Sequence, residues 1–285
     1  MRSALVFGGS GQIGAPVIER LLANDWRVTA VSRAAQAGHE KLEWLRGDLQ
    51  GVDGLPQRVD AIFSLGPLDH FSNWYAQTAL IAPRVIAFGS TSLETKQRSE
   101  DLPERDVAAR LGDAETRIFQ AAARRQAGAT ILRPTLVYGA GRDKTLTRIA
   151  SLARRTGFFV LPANAEGLRQ PVHVQDLADA ALATVEASDA HGRSYALPGG
   201  ETLAYAEMVR RTLASLRPPA RLIRVPTPLF KAALAGAHLL GKMQSLGSAA
   251  VARMQQDLVF DLEPARRDFG YSPRKFQPDK DMFFS

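Results

Sequence analysis

The sequence contains no cysteine among its 285 residues. A chain without thiols has no disulfide framework, no thiolate zinc site and no cysteine nucleophile. Histidine is also scarce, and neither His173 nor His238 lies near a second histidine and a carboxylate at metal-ligand spacing. The sequence therefore predicts no metal site.

Long apolar runs are absent as well. No stretch approaches the ~20 uninterrupted apolar residues of a membrane span, so we predict no transmembrane segment. The first three residues lead directly into a predicted strand rather than into a signal peptide. We therefore expect a cytoplasmic protein.

The sequence also lacks a block of charge of one sign. Its 36 basic side chains are scattered among 29 acidic ones and give a net charge of +7. Nucleic-acid-binding chains typically show basic clusters with interleaved aromatic residues, which are missing here. We interpret the charge as favouring solubility and predict no nucleic-acid partner.

The most informative stretch is the glycine-rich segment 7–14, Phe-Gly-Gly-Ser-Gly-Gln-Ile-Gly. A short apolar run precedes it and a helical apolar pattern follows it, so we predict a strand, a turn and a helix. Such a turn exposes backbone N–H groups at the positive end of the helix dipole, which suits a pyrophosphate. Gly8 permits the tight turn, Gly11 lets a phosphate approach the backbone, and Gly14 lets the helix pack closely on the strand.

The second predicted strand, 27–31, ends at Ser32 and Arg33. An acidic side chain at this point would accept hydrogen bonds from an adenosine ribose, whereas a hydroxyl followed by a guanidinium suits a 2′-phosphate. The sequence thus favours NADP(H) over NAD(H). An ordinary surface role for Arg33 is the alternative.

Strands and helices continue to alternate along the first 135 residues. Six β-α alternations predict a doubly wound parallel sheet of the Rossmann type. The fifth strand delivers Ser90 at its carboxyl end, where open parallel sheets bind their ligands. The further strands are predicted at 42–45, 61–65, 85–88 and 130–132, and the helices at 71–81 and 105–125.

The remaining residues predict a smaller α/β region on the substrate side. We assign 1–138 and 168–188 to the dinucleotide-binding domain, and 139–167 and 189–285 to the substrate-side region. Residues 171–175 read as a strand, and Asp176 is predicted to cap the following helix. The apolar segment 228–246 is predicted to be a core or lid helix, with a membrane-surface or partner helix as the alternative.

The motifs together resemble one family, the extended short-chain dehydrogenase/reductases of the NAD-dependent epimerase/dehydratase group. Members bind NAD(P) on the first domain and a substrate, often a nucleotide sugar, against a smaller C-terminal region. The resemblance rests on the glycine turn, Gly47-Asp48-Leu49, Gly89-Ser90-Thr91, Leu132-Arg133-Pro134, Val137-Tyr138-Gly139, Val172-His173-Val174-Gln175-Asp176 and the C-terminal 261–273.

The resemblance implies a set of cofactor-binding residues. The turn glycines line the pyrophosphate, Arg33 contacts the adenosine phosphate, and Asp48 with Leu49 contacts the adenine. Ser90 falls at the family's catalytic Ser/Thr position. The full predicted cofactor set is Gly8, Ser10, Gly11, Gln12, Ile13, Gly14, Ser32, Arg33, Asp48, Leu49, Leu65 and Gly66.

The family's catalytic tyrosine, with a lysine four residues later on the same helix face, has no counterpart in the expected place. Alignment backwards from Glu115 puts Val107 and Leu111 at these two positions, and no tyrosine lies between Tyr75 and Tyr138. The spacing of Tyr271 and Lys275 is interpreted as chance, because a proline between them prevents a helix.

Three functional readings remain open. The first is an atypical oxidoreductase or epimerase acting on a small or sugar-nucleotide-like substrate. Ser90 would hydrogen-bond the substrate oxygen, and Tyr138 or His173 would carry the proton; Asp69 and His70 are weaker candidates on the loop after the fourth strand. The second is a non-catalytic dinucleotide-binding regulatory or assembly protein, and the third is a structural protein with an empty nucleotide site. A homodimer through the helices at 71–81 and 105–125 is a further expectation from the resemblance.

Overall fold

The computed structural model describes residues 1–143, 145–239 and 248–284. It divides into two compact units, which are treated one at a time. Unit 1 comprises Met1–Thr135, Val174–Pro198 and Asp261–Pro273, and unit 2 comprises Leu136–His173, Gly199–Phe260 and Arg274–Ser285.

The strands and helices are named in chain order. The strands are β1 (Ser3–Phe7), β2 (Arg27–Ser32), β3 (Leu42–Arg46), β4 (Ala61–Ser64), β5 (Arg84–Phe88), β6 (Gly128–Pro134), β7 (Val137–Tyr138), β8 (Phe158–Pro162), β9 (Leu168–Arg169), β10 (Val172–His173), β11 (Arg193–Leu197), β12 (Leu203–Ala204) and β13 (Arg221–Val225). The helices are α1 (Gly14–Ala23), α2 (Leu68–Gln77), α3 (Ser92–Lys96), α4 (Leu102–Arg124), α5 (Leu146–Thr156), α6 (Val174–Glu186), α7 (Tyr205–Ser215), α8 (Thr227–Leu239), α9 (Ser248–Arg253) and α10 (Glu263–Phe269).

Unit 1 is built on a seven-stranded parallel sheet with the order β3-β2-β1-β4-β5-β6-β11. The central strands are buried on both faces, which explains why they read as continuous apolar runs rather than alternating ones. The strand order reverses between β1 and β4. The predicted doubly wound α/β fold is thus confirmed.

Unit 2 contains three two-stranded sheets, β7 with β10, β9 with β12, and β8 with β13. Helices α5 and α7 pack on the inner face of the last pair, around Leu161, Ile149 and Val209. Among the described residues, no helix combines the length and the apolar character needed to cross a bilayer.

Several predicted elements begin or end elsewhere. Helix α2 starts three residues before the predicted position, so Asp69 and His70 lie in its first turn and not on a loop. Helix α6 starts at Val174, which places Asp176 in its first turn, where a carboxylate favours the helix dipole, rather than at the cap. The predicted strand at 171–175 shrinks accordingly to the two residues of β10.

Other predictions concern the second half of the chain. The helix predicted in the apolar segment 228–246 is present as α8 up to Leu239, and residues 240–246 of that segment lie outside the described residues. The predicted boundary between the regions also differs, since β11 pairs in parallel with β6 and thereby joins the main sheet. Residues 261–273 likewise group with unit 1.

A hydrogen bond from Tyr195 holds the segment Asp261–Pro273 of unit 1 against β11. The Tyr195 hydroxyl on β11 donates to an Asp268 carboxylate oxygen at 2.6 Å, and Arg267 donates to the same side chain at 2.7 Å. Burial and the bond to Asp268 raise the pKa of Tyr195 to about 12. The bonds from Arg267 and Tyr195 lower the pKa of Asp268 to about 2. The contribution of this pair to the packing of residues 261–273 is therefore complete between the ordinary pKa values of aspartate and tyrosine, and it is lost as the pH falls to about 2 or rises to about 12.

The segment after α10 is irregular. Tyr271 is buried and donates its hydroxyl to the Pro198 carbonyl at 2.8 Å. No helix joins Tyr271 to Lys275. Their spacing is therefore a coincidence, as the intervening proline predicts.

A buried ion pair joins β6 to α4. The Arg133 guanidinium donates to both carboxylate oxygens of Glu115, at 2.7 and 2.5 Å, and to Glu94 on α3 at 2.8 Å. Ser194 on β11 donates to Glu115 at 2.9 Å. Burial disfavours the charged form of Arg133, yet the bonds to Glu115 and Glu94 outweigh it and raise the pKa of Arg133. This cluster lies directly beneath Gly89, which precedes Ser90.

We predict that Glu115→Gln destabilises the protein by about 3 kcal/mol, because the largely buried Arg133 then keeps only its exposed partner Glu94 as a matching charge. The control Glu94→Gln removes the exposed partner of the same guanidinium and is expected to cost about 1 kcal/mol or less. Urea unfolding of both variants measures the difference. Equal losses of unfolding free energy in the two variants would show that the buried pair matters no more to stability than the exposed one.

Candidate functional site

The glycine turn between β1 and α1 is closed by backbone contacts. Gly8 has a positive φ of +77°, and the Gly11 N–H donates to the Gly8 carbonyl at 2.9 Å. A Cβ added at Gly14 would lie 2.2 Å from that same carbonyl oxygen and 2.5 Å from the Gly9 oxygen. No side chain fits at Gly14 unless the turn changes shape. The steric roles expected for these glycines thus have a physical basis in the structure.

The start of α1 has the character of an anion site. Its N-cap residue, Ile13, makes no side-chain cap, and the first turn contains no acidic residue. The positive end of the helix dipole is therefore not compensated by a protein carboxylate. Gln12 adds a buried Oε1 atom with no hydrogen-bond partner among the described residues, while Ser10 is exposed on the outside of the turn.

The end of β4 lies beside the turn. The Leu65 N–H donates to the Phe7 carbonyl at 3.0 Å, and a Cβ at Gly8 would come within 3.0 Å of the Leu65 backbone. A Cβ at Gly66 would meet nothing within 4 Å in the part of the chain that the structure describes. An open space therefore borders the turn at the point where the strand order reverses, which is where doubly wound sheets bind ligands.

The end of β2 presents one buried hydroxyl and one exposed cation. Ser32 is buried, and its Oγ accepts the Ala34 N–H at 3.3 Å. Arg33 is exposed and has no ion pair or hydrogen bond within the described ranges. Its guanidinium is thus not engaged by the protein.

The end of β3 forms a small turn. One carboxylate oxygen of Asp48 accepts a hydrogen bond from the Gln50 N–H at 2.8 Å, and the Asp48 backbone N–H donates to the Gly51 carbonyl at 3.1 Å. Leu49 is half-buried against the core of unit 1. Asp48 therefore shapes the loop whatever ligand the loop holds.

The end of β5 holds Ser90 in a short hydroxyl turn. Its Oγ accepts the Ser92 N–H at 3.1 Å. The Ser90 hydroxyl proton has no acceptor among the described residues. The neighbouring Thr91 hydroxyl is already used, since it donates to the Pro134 carbonyl at 3.1 Å. Ser90 therefore presents a hydroxyl at this strand end that can still donate.

Helix α4 contains neither tyrosine nor lysine. Val107 and Leu111, at the two positions in question, are half-buried apolar side chains. Arg110, one residue earlier than Leu111, lies 3.5 Å from the Asp69 carboxylate in the first turn of α2. Sequence reasoning missed this contact, because a single arginine on a helix surface gives no signal until its partner is known.

Tyr138 and His173 are brought together in unit 2. They are register partners on β7 and β10, with ring centroids 5.1 Å apart in an edge-on arrangement. Tyr138 is 1% exposed and His173 is 6% exposed. The imidazole also packs against Gly139, where an added Cβ would lie 2.4 Å from Nε2. Both rings therefore have a packing role, whereas Ser90 belongs to unit 1.

No group of three or more histidine and carboxylate side chains in the described parts of the chain could hold a metal ion. The ionisable groups near the carboxyl ends of the strands of unit 1 include Arg33, Arg46, Asp48, Asp69 and His70.

Comparison with known proteins gives relatives that span nearly the whole chain. The 2-alkyl-3-oxoalkanoate reductase of Stenotrophomonas maltophilia is 26% identical over 95% of this chain and 94% of its own length. The structure of MoeE5 in complex with UDP-glucuronic acid and NAD superposes with a TM-score of 0.71 at 19% identity, covering 96% of this chain and 94% of MoeE5. The UDP-glucuronic acid 4-epimerase of Bacillus cereus in complex with NAD gives a TM-score of 0.71 at 14% identity, covering 98% of this chain and 96% of the epimerase.

The family model of the NAD dependent epimerase/dehydratase family matches residues 4–86 and 114–197. These residues include the glycine turn, the end of β4, Glu115 and Arg133. The stretch between the two matches, 87–113, holds Ser90 and the α4 positions in question. Because the matched residues make up more than half of the sequence, the chain belongs to the NAD-dependent epimerase/dehydratase family.

Proposed function

We propose that unit 1 binds a nicotinamide dinucleotide, with its pyrophosphate over the glycine turn. The observation that carries this proposal is the turn itself, which leaves no room for a side chain at Gly14 and presents an uncompensated helix N-terminus. The buried, unpartnered Gln12 Oε1 and the open space at Gly66 also fit such a ligand.

Each strand end has a proposed task toward the dinucleotide. The residues from Gly8 to Gly14, including Ser10 and Ile13, surround the pyrophosphate. Asp48 and Leu49 bound the adenine, and Leu65 with Gly66 lies toward the nicotinamide half. These assignments follow the usual order of the strand ends in a doubly wound sheet.

We further propose a preference for NADP(H). Arg33 is exposed and unengaged directly after the buried Ser32, and no acidic side chain stands at this strand end to receive a ribose hydroxyl. A guanidinium recognises a phosphate through paired, charge-assisted hydrogen bonds.

The proposed reaction is an oxidoreduction or epimerisation of a small or sugar-nucleotide-like substrate. The names of the similar proteins, a reductase and a UDP-glucuronic acid 4-epimerase, support this class. When bound, the nicotinamide would supply a hydride donor or acceptor. Ser90 would donate its unused hydroxyl proton in a hydrogen bond to the substrate oxygen, and the Glu115 cluster would hold its strand end in place.

The proton carrier must come from outside α4, because that helix has no tyrosine or lysine. Tyr138 and His173 remain the proposed candidates, and their burial means that either needs access to substrate through a rearrangement. Asp69 is more exposed, and its carboxylate lies 3.5 Å from the Arg110 guanidinium.

A non-catalytic dinucleotide-binding protein is the second candidate. The observation that favours it is the combination of an α4 without tyrosine or lysine and a Tyr138 that is almost fully buried. The homodimer through α2 and α4 and the cytoplasmic location remain predictions.

The open space at Gly66 provides a test that spares the fold. Gly66→Val is expected to leave the free energy of unfolding unchanged. It should lower the affinity for NADPH by about tenfold or more, since the new methyl groups would occupy the space of the ligand. Gly112→Val on α4 is the control, because among the described residues a Cβ there meets only Leu93 Cδ1, at an ordinary contact distance of 3.9 Å. Isothermal titration calorimetry measures the NADPH affinity of both variants. Equal affinities of the two variants would show that the dinucleotide does not bind beside Gly66.

The cofactor preference rests on Arg33. Arg33→Ala is expected to lower the affinity for NADPH by roughly tenfold or more and to leave the affinity for NADH nearly unchanged, because only NADPH has the 2′-phosphate. Arg27→Ala, at the opposite end of β2, is the control for a general loss of positive charge. Parallel losses for both cofactors in the Arg33 variant would exclude phosphate recognition by this side chain.

The proton donor can be tested by restoring it. Val107→Tyr with Leu111→Lys is expected to raise NADPH-dependent turnover on a panel of carbonyl substrates by about 10²-fold, the usual order of a positioned proton donor. Ser90→Ala in the same background should remove most of that gain. High turnover by the unaltered protein that persists in Ser90→Ala, Tyr138→Phe and His173→Ala, each made singly, would refute the assigned roles. No turnover in any variant would favour the non-catalytic binding protein.

A further inference from the structure

Helix α8 has an unusual outer side for a surface helix. Its inner side buries Phe230 and Leu234, which pack on Val160 and Val225. A surface helix ordinarily shows charged and polar side chains on the opposite side. Between residues 228 and 235, however, Lys231 is the one polar side chain among the exposed residues, which are Pro228, Leu229, Lys231, Ala232, Ala233 and Ala235.

The sheet beneath α8 continues this apolar surface. In the parallel pair β8 and β13, Phe158 is opposite Arg221 and Val160 is opposite Ile223, so these four side chains share one face. Helix α8 covers the Val160 end of that face. The other end is open, with Phe158 43% and Ile223 42% exposed, and Leu229 on α8 is 59% exposed. We call Phe158, Arg221, Ile223, Leu229 and Lys231 the α8 surface.

The positive charge of the chain is concentrated in the unit that carries this surface. Unit 2 has 17 basic and 7 acidic side chains, a net charge of +10, whereas unit 1 has 19 basic and 22 acidic side chains. Residues 144–165 and 208–256 contain no aspartate or glutamate at all. Arg221 and Lys231 have no ion pair among the described residues. The apparent scatter of charge along the sequence therefore hides a segregation between the units.

We propose that the α8 surface docks on an anionic lipid bilayer. Exposed apolar side chains flanked by unpaired lysine and arginine match the interface between acyl chains and acidic headgroups. The apolar side chains would enter the headgroup layer, and the cations would pair with lipid phosphates.

The same observations disfavour two other partners. A second copy of this chain would bring Arg221 and Lys231 against the same two cations, and like charges at an interface oppose association. A nucleic acid would pair with the cations but would leave Ile223 and Leu229 without an apolar environment. The lipid surface satisfies both the charge and the apolar side chains.

Co-sedimentation of the full chain with vesicles tests the proposal. We expect binding to an equal mixture of phosphatidylcholine and phosphatidylglycerol, and weak binding to phosphatidylcholine alone. Phe158→Ser with Ile223→Ser should weaken binding about tenfold or more without altering the charge. Arg221→Gln with Lys231→Gln should have an effect of similar size that disappears at high salt.

Matched variants in unit 1 separate this surface from the general effect of a basic protein. Leu102→Ser replaces a side chain that is 69% exposed, and Arg98→Gln with Arg124→Gln removes two exposed charges. Both controls should change vesicle binding by about twofold or less. Circular dichroism checks that every variant is folded.

Several outcomes would overturn the proposal. These are no sedimentation of the unaltered chain with the mixed vesicles, equal effects of the unit 1 and α8-surface variants, or a self-association that Phe158→Ser with Ile223→Ser abolishes in the absence of lipid. Binding of a DNA duplex that depends on Arg221 and Lys231 but not on Phe158 would likewise identify a different partner.

Discussion

The close approach of Gly14 to the Gly8 carbonyl is the constraint on which the binding end of unit 1 depends. An added Cβ would lie only 2.2 Å from that oxygen, so the glycine at position 14 allows the chain to turn immediately after β1 and to begin α1 against the strand. This brings the helix N-terminus, the Gly66 space and the end of β2 to one edge of the sheet. The proposed dinucleotide site is the chemical consequence of this packing.

The Glu115 cluster plays a comparable part at the other half of the sheet. It joins α3, α4, β6 and β11 below the end of β5, so the position of Ser90 depends on charges that are hidden from solvent. A buried charge pair contributes little net stability, but the loss of one member is costly. The Glu115 cluster thus fixes the geometry at the end of β5 and adds little to the net stability of the protein.

Much of the fold could be predicted from the sequence, because buried parallel strands read as apolar runs and the glycine turn has a distinct signature. The start of α2 could not, since Leu68 follows a proline and its first turn has the polar composition of a loop. The position of β11 was hidden because its five residues are separated from β6 by α6, and only the pairing shows that they share a sheet. Local patterns do not carry such long-range pairings.

The candidate site was predictable to a different degree in its two halves. The glycines of the turn follow from steric needs that are local, such as the positive φ at Gly8 and the lack of room for a side chain at Gly14. Tyr138 and His173 were chosen for their chemistry, but chemistry alone does not reveal that the two rings pack edge-on against each other and that the imidazole also packs against Gly139. Charge segregation was invisible for a related reason, because unit 2 is assembled from three separate stretches of the chain.

The central claim is that the glycine turn holds a nicotinamide dinucleotide. A crystal structure of the protein grown with NADPH tests it most directly. The account predicts the pyrophosphate within hydrogen-bond distance of the backbone N–H groups of the turn, with the 2′-phosphate on Arg33. A dinucleotide bound away from Gly8, Gly11 and Gly14, or a turn that stays without ligand at saturating NADPH and NADH, would contradict it.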